Sequence, residues 1–368
     1  MAESLRDTLL SRERVEELAT AIAAVFPYLD RARLLAHVFD STWPDESLME
    51  RLHHATAALH LCLPGSFAED LDVLLAAEPA VRGFARLVLS DYVAQYGLDC
   101  VDFSLPALAR FTIGGTSEYA IRPFVQRYPK QVLPWLLTWA RDPDPEVRRL
   151  ASEGCRPRLP WGKVLQEFRA DPSPILAVLE TLRDDPSLYV RKSVANNLND
   201  ISKDHPGLVL DICQRWQGES PNTDWIIRRA CRTLVRASDT RAMRLLDLAT
   251  TSGLSVRELE LDTDHPEIGE HLHYRFVLSV GQVQAVLILL ELGVEHLVQE
   301  RWAVRRTFKL REGPFAPGEH IIARRLALVQ RSTRTWRPGT HRLSILANGQ
   351  ELDSAEFDLL PGDAVRAG

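Results

Sequence analysis

Four side chains between residues 149 and 161 have the types and spacing to act on a charged substrate. Arg149, Glu153 and Arg156 stand at i, i+4 and i+7, so a helix would place them on one face. Trp161 follows at the far end of the same segment. A face on which cations flank an anion, with an indole nearby, suits the binding of a polyanion on which a reaction takes place at one site. A solvated surface helix with an i, i+4 ion pair is the alternative that this segment leaves open.

A second polar face is predicted between residues 192 and 203. Its members fall at i, i+4, i+7, i+8 and i+11 of a helix: Lys192, Asn196, Asn199, Asp200 and Lys203. Amides and ammonium groups contact phosphate and sugar oxygens. A carboxylate at Asp200 would weaken the binding of a polyanion, so we expect it to serve a positive charge. The alternative is a structural network in which Asp200 pairs with Lys203 or Lys192.

Two further groups add to this inventory. Glu118 follows Thr116 and Ser117, either of which would cap a helix with Glu118 in its first turn, where a carboxylate also suits the helix dipole. Three arginines at i, i+4 and i+8 would repel one another, and a phosphate backbone would relieve them. A solvated face is the alternative for this last set, which comprises Arg228, Arg232 and Arg236.

The elements that position these residues form an internal repeat. An Asp-Pro turn lies five residues before Val147 and again before Val190, and each valine is followed by two basic residues. The two valines are 43 residues apart, and a looser copy at Ile227 follows after 37. Helix-pair repeats of the HEAT type have about this period. We therefore predict an all-α, HEAT-like solenoid over residues 1–250, with Asp-Pro capping each second helix and the basic residues along one trough.

The pattern changes to strands after Gly253. Segments 272–278, 283–289, 302–304 and 341–346 read as β-strands, separated by turn residues. Asn348-Gly349 predicts a type I′ hairpin. We predict an immunoglobulin-like β-sandwich over residues 256–362, without a core disulfide because the segment contains no cysteine pair. The chain is thus predicted to be a multidomain protein, α then β.

Composition limits the classes of function. With 45% hydrophobic and 26% charged residues, the chain is typical of soluble globular proteins, and no run of about 18 uncharged apolar residues predicts a membrane span. The five cysteines have no CxxC spacing, which argues against a disulfide framework or a metal site and favours a reducing cytoplasm.

The net charge of −6 conceals an uneven distribution. Residues 1–100 carry 8 basic and 16 acidic side chains, residues 101–250 carry 22 and 18, and residues 301–350 carry 11 and 2. The second and third regions are therefore expected to face a polyanion, and the first is not.

At this point the residues resemble a known family. The stretches EYAIRP (118–123), VRRLASEGCRPRLPW (147–161) and YVRKSVANNLNDISKDHP (189–206) together resemble the AlkC family of bacterial DNA alkylation-repair glycosylases. The resemblance is close over about residues 90–245 and looser over the first ninety. The C-terminal region is similar to the immunoglobulin-like extension of one branch of that family, on motifs that include Asn348-Gly349.

The resemblance implies a monofunctional DNA glycosylase that excises cationic N3-alkylated bases, 3-methyladenine and 3-methylcytosine, from double-stranded DNA in base excision repair. It implies no cofactor and no metal, and a protein that works in the bacterial cytoplasm, on the nucleoid. The matched active-site positions are Glu118, Glu153, Trp161 and Asp200. We expect a monomer.

The chemistry is consistent with those residues. An N3-alkylated base already carries a positive charge, so it leaves without a general acid, and a carboxylate stabilises the oxocarbenium-like sugar that remains. The residues predicted to hold the DNA are Arg148, Arg149, Arg156, Arg158, Lys192, Asn196, Asn199, Lys203, Arg228, Arg232, Arg305 and Arg306. The competing hypothesis is a non-enzymatic HEAT scaffold that binds DNA or a protein; it explains the repeat and the basic trough but not the carboxylates within it.

Overall fold

A computed structural model describes residues 8–248, 251–330 and 335–362. The chain divides into two compact units, the first ending at Ala230 and the second beginning at Cys231. The fold class predicted from the sequence is confirmed: helices fill the first unit and antiparallel sheets dominate the second. The predicted domain boundary at residue 250 lies outside the described residues and stays a prediction. No helix among the described residues is long and apolar enough to cross a membrane.

The first unit is built from helices joined by short turns. Proline at the first or second position starts several of them, because its fixed φ suits a helix N-terminus and its missing N–H costs nothing there. Their bounds are α1 Arg12–Val25, α2 Arg31–Val38, α3 Leu48–His60, α4 Phe67–Ala77, α5 Leu87–Tyr96, α6 Val101–Thr112, α7 Arg122–Arg127, α8 Pro129–Trp139, α9 Pro145–Gly154, α10 Gln166–Ala170, α11 Ser173–Thr181, α12 Leu188–Ile201, α13 Pro206–Trp216 and α14 Pro221–Ala230.

The predicted repeat is confirmed, and the second helices of its three copies are neighbours. Helix α12 packs against α9 on one side and α14 on the other, so the three copies lie next to one another. Val147, Val190 and Ile227 are all buried, as the motif requires. The polar faces of α9 and α12 are therefore brought side by side.

The capping prediction needs one correction. Asp144, not Asp142, caps α9 by accepting the N–H of Glu146 at 2.7 Å. The aspartates of the Asp-Pro motif bond the turn before the helix: Asp142 accepts the N–H of Asp144, and Asp185 accepts that of Ser187, each at 2.8 Å. The Asp-Pro pair thus shapes the turn that leads into the helix, because an aspartate side chain readily bonds the backbone two residues on.

The second unit begins with two short helices, α15 Arg232–Arg236 and α16 Thr240–Leu245, and continues as a β-sandwich. One sheet has the order β1-β2-β6, and in the other β3 pairs with β4, β5 and β7, and β7 pairs with β8. Their bounds are β1 Leu254–Leu261, β2 His271–Val280, β3 Val286–Val298, β4 Arg301–Trp302, β5 Arg306–Phe315, β6 Gly318–Ala327, β7 Gly339–Ala347 and β8 Gln350–Leu359. A buried apolar cluster from both sheets forms the core.

Four strands were predicted close to where β2, β3, β4 and β7 lie, whereas β1, β5, β6 and β8 were not predicted. The type I′ hairpin is confirmed, because Asn348 and Gly349 both have positive φ (+49° and +84°) between β7 and β8. A Cβ on Gly349 would lie 2.4 Å from the carbonyl oxygen of Val235, so only glycine fits where this hairpin meets α15.

Candidate active site

Five charged side chains of the first unit form one alternating row, which we call the charge row: Glu118, Arg149, Glu153, Arg156 and Asp200. Arg149 bonds Glu118 through Nη1 and approaches Oε1 of Glu153 with Nη2 at 3.6 Å. Arg156 donates to the same Oε1 at 2.6 Å and, through Nε, to Oδ2 of Asp200 at 2.8 Å. All five side chains are buried or nearly so. Three carboxylates are therefore held in one line by two arginines.

The predicted helical face supplies the middle of this row. Arg149 and Glu153 lie on α9, four residues apart as predicted. The prediction that Arg156 shares their helical face is wrong, because α9 ends at Gly154 and Arg156 lies beyond it. Asp200 is on the next second helix, α12, near its C-terminal end. Glu118 is placed differently from the prediction: α7 begins only at Arg122, and Glu118 lies in the preceding turn, which Thr116 Oγ1 braces by donating to Oε2 at 2.9 Å.

Short polar contacts lock α9 to α12. Ser152 Oγ donates to Ser193 Oγ at 2.6 Å, and Asn197 Nδ2 donates to the carbonyl of Ser152 at 2.8 Å. Asn199 Nδ2 donates to the carbonyl of Ala230 at 2.8 Å and is buried. These asparagines tie adjacent repeats together. Asn199 therefore has a structural role here, although the sequence had also suggested that it contacts DNA.

The electrostatics of the charge row keep its arginines charged. Burial by itself would lower the pKa of Arg149, but Glu118 and Glu153 outweigh it and raise that pKa above its ordinary value. The pKa of Arg156 is raised in the same way, with burial opposed by Glu153 and Asp200. Beside the row, burial raises the pKa of the Tyr119 phenol, and Glu118 raises it further. Burial also raises the pKa of the Cys155 thiol to about 12.

Within Glu153, one carboxylate oxygen is open. Both arginines use Oε1 of Glu153, and within the described ranges Oε2 receives no hydrogen bond. Both oxygens of Asp200 are occupied, because Lys203 Nζ lies 3.3 Å from Oδ1. This confirms the Asp200–Lys203 contact offered as the alternative, with Arg156 as a second partner.

Trp161 stands apart from the buried row. Its side chain is 69% exposed, and its backbone has φ +63°, a conformation that L-residues rarely adopt. Arg122 holds this loop in place from beneath: Nε donates to the carbonyl of Lys163 at 2.7 Å, and Nη1 donates to those of Gly154 and Arg156 at 3.1 and 2.9 Å. Arg122 is fully buried, which lowers its pKa to about 10. It ties the Trp161 loop to the end of α9.

The predicted DNA-binding residues fall into two groups. Several form ion pairs within the protein: Arg149 and Arg156 in the charge row, Arg148 with Asp185, Arg158 with Asp204, and Arg305 with Glu295 and Glu351. Asp204 binds Arg169 as well as Arg158, and both hydrogen bonds lower its pKa to about 2. Three others are exposed or half-buried and lie on a helix or strand: Lys192 and Asn196 on α12, and Arg306 on β5. Lys203 lies in the turn after α12 and pairs with Asp200. Arg228 and Arg232 lie on two different helices, α14 and α15, so the single arginine face predicted for Arg228, Arg232 and Arg236 is wrong.

Sequence reasoning assigned no role to Arg122 or Tyr119 and did not identify the partner of Arg148. Arg122 and Tyr119 lie inside a motif that was recognised, but a buried arginine that binds backbone carbonyls has no periodic signal. The acceptor for Arg148, Asp185, is 37 residues away. No cluster of three potential metal ligands occurs in the described ranges.

Comparisons with known proteins place this geometry in context. A family model described as "DNA alkylation repair enzyme" matches residues 111–234, and one described as "Uncharacterised protein YhaZ, C-terminal Ig-like domain" matches residues 255–361. The chain is 36% identical over 352 residues to the uncharacterized protein YhaZ of Bacillus subtilis, covering 95% of this chain and 98% of that one. It is 34% identical to the alkylpurine DNA glycosylase AlkC of Pseudomonas fluorescens, solved with DNA containing an abasic site analog, with a TM-score of 0.88 over 97% of this chain and 100% of that one.

Proposed function

The chain belongs to the AlkC family of DNA alkylation repair enzymes, in the branch with a C-terminal immunoglobulin-like domain, and from this membership we propose that it is a monofunctional DNA glycosylase. Its proposed substrates are cationic N3-alkylated bases in double-stranded DNA, 3-methyladenine and 3-methylcytosine. The similar protein of Pseudomonas fluorescens is an alkylpurine DNA glycosylase, which supports the proposal.

The charge row is the observation that carries this proposal. Loss of a cationic base leaves a sugar with growing positive charge, and preorganised carboxylates in a site with little water stabilise it strongly. A scaffold that only binds DNA gains nothing from three carboxylates in its binding face, since each repels phosphate. The two arginines keep the carboxylates together at close range, which their mutual repulsion would otherwise oppose.

We assign distinct roles to the carboxylates. Asp200 supplies negative charge near the sugar and fixes Arg156. Glu153, through its open Oε2, orients the water that attacks the sugar carbon, and the water's proton passes to that carboxylate. Glu118 sets the position of Arg149. No side chain has to protonate the departing base, because it is already cationic.

Trp161 is proposed to contact the lesion. Its exposed indole attracts a cation through its face, and a methylated base is such a cation. The exposed cations around the row, Lys192, Lys203 and Arg228, are proposed to bind phosphates on either side. Lys203 is engaged with Asp200, which does not suit a Schiff-base nucleophile and supports the monofunctional assignment.

An excision assay tests the proposal. The protein is incubated with methylated duplex DNA, and the released bases are separated by chromatography. We expect 3-methyladenine and 3-methylcytosine to appear, with abasic sites left uncut until alkali is added. Binding without release of any base would leave the scaffold hypothesis in its place, and strand cleavage without alkali would contradict the monofunctional assignment.

A further inference from the structure

Tyr189 contacts the charge row, although the proposed mechanism gives it no role. It is the second residue of α12, and the centroid of its ring lies 4.9 Å from Cζ of Arg149. That distance is within the range of a cation–π contact. Tyr189 is 44% exposed, whereas the side chain of Arg149 is 14% exposed. The more exposed ring therefore covers part of the less exposed guanidinium.

The two arginines of the row are held unequally. Arg156 donates hydrogen bonds to both of its carboxylate partners, at 2.6 and 2.8 Å. Arg149 bonds Glu118, and its Nη1 also donates to Thr116 Oγ1 at 3.1 Å. On the other side, Nη2 of Arg149 lies 3.6 Å from Oε1 of Glu153, which is beyond hydrogen-bond distance. Arg149 is therefore the arginine with the weaker hold on the central carboxylate.

The contact with Tyr189 adds a hold on Arg149 from the neighbouring second helix. Burial raises the pKa of the Tyr189 phenol, and the charge of Arg149 only partly opposes that rise. The ring is therefore neutral at physiological pH, and it attracts the guanidinium through its face. In the described part of the chain, the Tyr189 hydroxyl has no hydrogen-bond partner. The aromatic ring, and not the hydroxyl, makes the contact.

We propose that Tyr189 is a positioning residue, which holds Arg149 on Glu118 and Glu153 while DNA is bound. Phosphates of the DNA also bind a guanidinium through charge-assisted hydrogen bonds, so they compete with the carboxylates for Arg149. A guanidinium that moved to a phosphate would lose its contact with the ring. Tyr189 thus acts on the reaction through Arg149, and the inference rests on the proposed function.

Tyr189→Leu should separate excision from binding. Loss of the cation–π contact should lower the single-turnover rate of excision roughly tenfold. Because Arg149 then becomes available to a phosphate, affinity for a duplex with an abasic-site analogue should be unchanged or higher. The magnitude of the slope of log affinity against log salt should rise by about 1. A residue that only supports the fold would not steepen this salt dependence.

Tyr128→Leu is the matched control. Tyr128 makes the same kind of contact with Arg127, whose Cζ lies 5.3 Å from the ring centroid, and this pair is outside the charge row. The same substitution at this position should leave the excision rate and the salt slope at their wild-type values. Circular dichroism and urea unfolding measure the folded fraction of each variant.

A graded series at position 189 tests the cation–π contact itself. Tyr189→Phe keeps the ring and should excise at the wild-type rate. Fluorinated phenylalanines, introduced by amber suppression, keep the shape of the ring but withdraw electron density from its face. The excision rate should therefore fall as the fluorine content rises. This series decides the question if Tyr189→Leu does not fold.

The outcomes separate this inference from the proposed function. If the wild type excises and Tyr189→Leu equals it in rate and salt slope, the inference is overturned and the proposed function stands. An excision rate that does not change with fluorine content has the same consequence. A wild-type protein that releases no base overturns the proposed function together with this inference.

Discussion

Each arginine of the charge row serves two carboxylates, and that sharing determines how the row responds to substitution. Removing a carboxylate leaves an arginine with one partner and shifts the row towards positive charge. Such a change should strengthen the binding of a polyanion, and it should also remove negative charge that stabilises a cationic sugar. Binding and catalysis are therefore expected to move in opposite directions.

Asp200→Asn tests this opposition. The amide keeps the shape of the side chain but lacks the charge, so excision should fall by roughly 100- to 1,000-fold, in line with the loss of one electrostatic group from an active site. Affinity for DNA should be unchanged or higher. Single-turnover excision and anisotropy measure the two effects, and Asp204→Asn is the matched control, because Asp204 pairs with Arg158 and Arg169 outside the row. Wild-type turnover by Asp200→Asn would remove Asp200 from the mechanism.

Trp161→Ala tests the lesion contact. The side chain is exposed, so the free energy of unfolding should change little, while excision of the cationic base should fall about tenfold through loss of a cation–π contact. Trp161→Phe should retain part of the rate. Trp135→Ala, on α8, serves as the control. An unchanged rate for both Trp161 variants would contradict the assigned contact.

Much of the charge row could be predicted, and its limits have a physical cause. A helix fixes which residues share a face, so Arg149, Glu153 and Arg156 were grouped from spacing alone. The bonds from Arg149 to Glu118 and from Arg156 to Asp200 join residues 31 and 44 positions apart, and no period encodes them. Spacing and helix capping had drawn attention to Asp200 and Glu118 separately, and the motif resemblance then identified both as active-site positions.

At the scale of the elements, the arginine that follows the motif valine is structural in two copies of the repeat. Arg148 Nη1 donates to the carbonyls of Asp142 and Pro143 at 3.0 and 2.9 Å. Arg191, 43 residues later, does the same to the carbonyls of Asp185 and Pro186 at 2.8 and 2.9 Å. Arg148 also bonds both oxygens of Asp185, which joins one repeat to the next.

Arg148→Ala should therefore lower stability more than DNA binding. Loss of one partner from a largely buried pair costs about 3 kcal/mol, and Asp185 would be left without its guanidinium. We expect denaturant unfolding to show this loss, with the salt dependence of DNA binding unchanged. Lys192→Ala, an exposed site on the neighbouring second helix, should show the reverse. A reduced salt slope in Arg148→Ala would return this arginine to the DNA interface.

The secondary structure itself was predicted unevenly. Helices were predicted from apolar spacing and from Pro and Asp at their starts, whereas half of the strands were missed. Strands β5 and β6 each bury only one residue, Phe315 and Leu326, and their other residues are exposed or half-buried. They therefore lack the regular apolar alternation on which strand prediction depends.

At the scale of the whole molecule, the acidic net charge of −6 is the sum of regions with opposite net charge. In the second unit several basic side chains form ion pairs within the protein: Glu295 binds Arg305 and Arg342, and Arg236 bonds the fully buried Glu291. The arginines that remain exposed on the sandwich, such as Arg306, are the ones available to a polyanion.

Arg305 and Arg306 make a matched test of this distinction. They are consecutive in the chain, but Arg305 is paired with Glu295 and Glu351 while Arg306 is exposed. If the second unit contacts DNA, Arg306→Gln should lower the salt slope of DNA binding by about 1 and leave the melting temperature unchanged. Arg305→Gln should lower the melting temperature and leave the slope alone. Equal slopes in the wild type and both variants would argue against a DNA contact at Arg306.

The burial of Cys155, between Glu153 and Arg156 in the chain, affects how the protein withstands alkylating agents. Agents that methylate DNA also methylate thiolates, and a thiol with a pKa of about 12 holds almost none of its population in that form at neutral pH. Cys155 is fully enclosed, with Asn197 against its sulfur at 3.4 Å. A DNA alkylation repair enzyme works while the alkylating agent is still present, and this packing protects the Cys155 thiol, next to Arg156 in the chain, from the same agent.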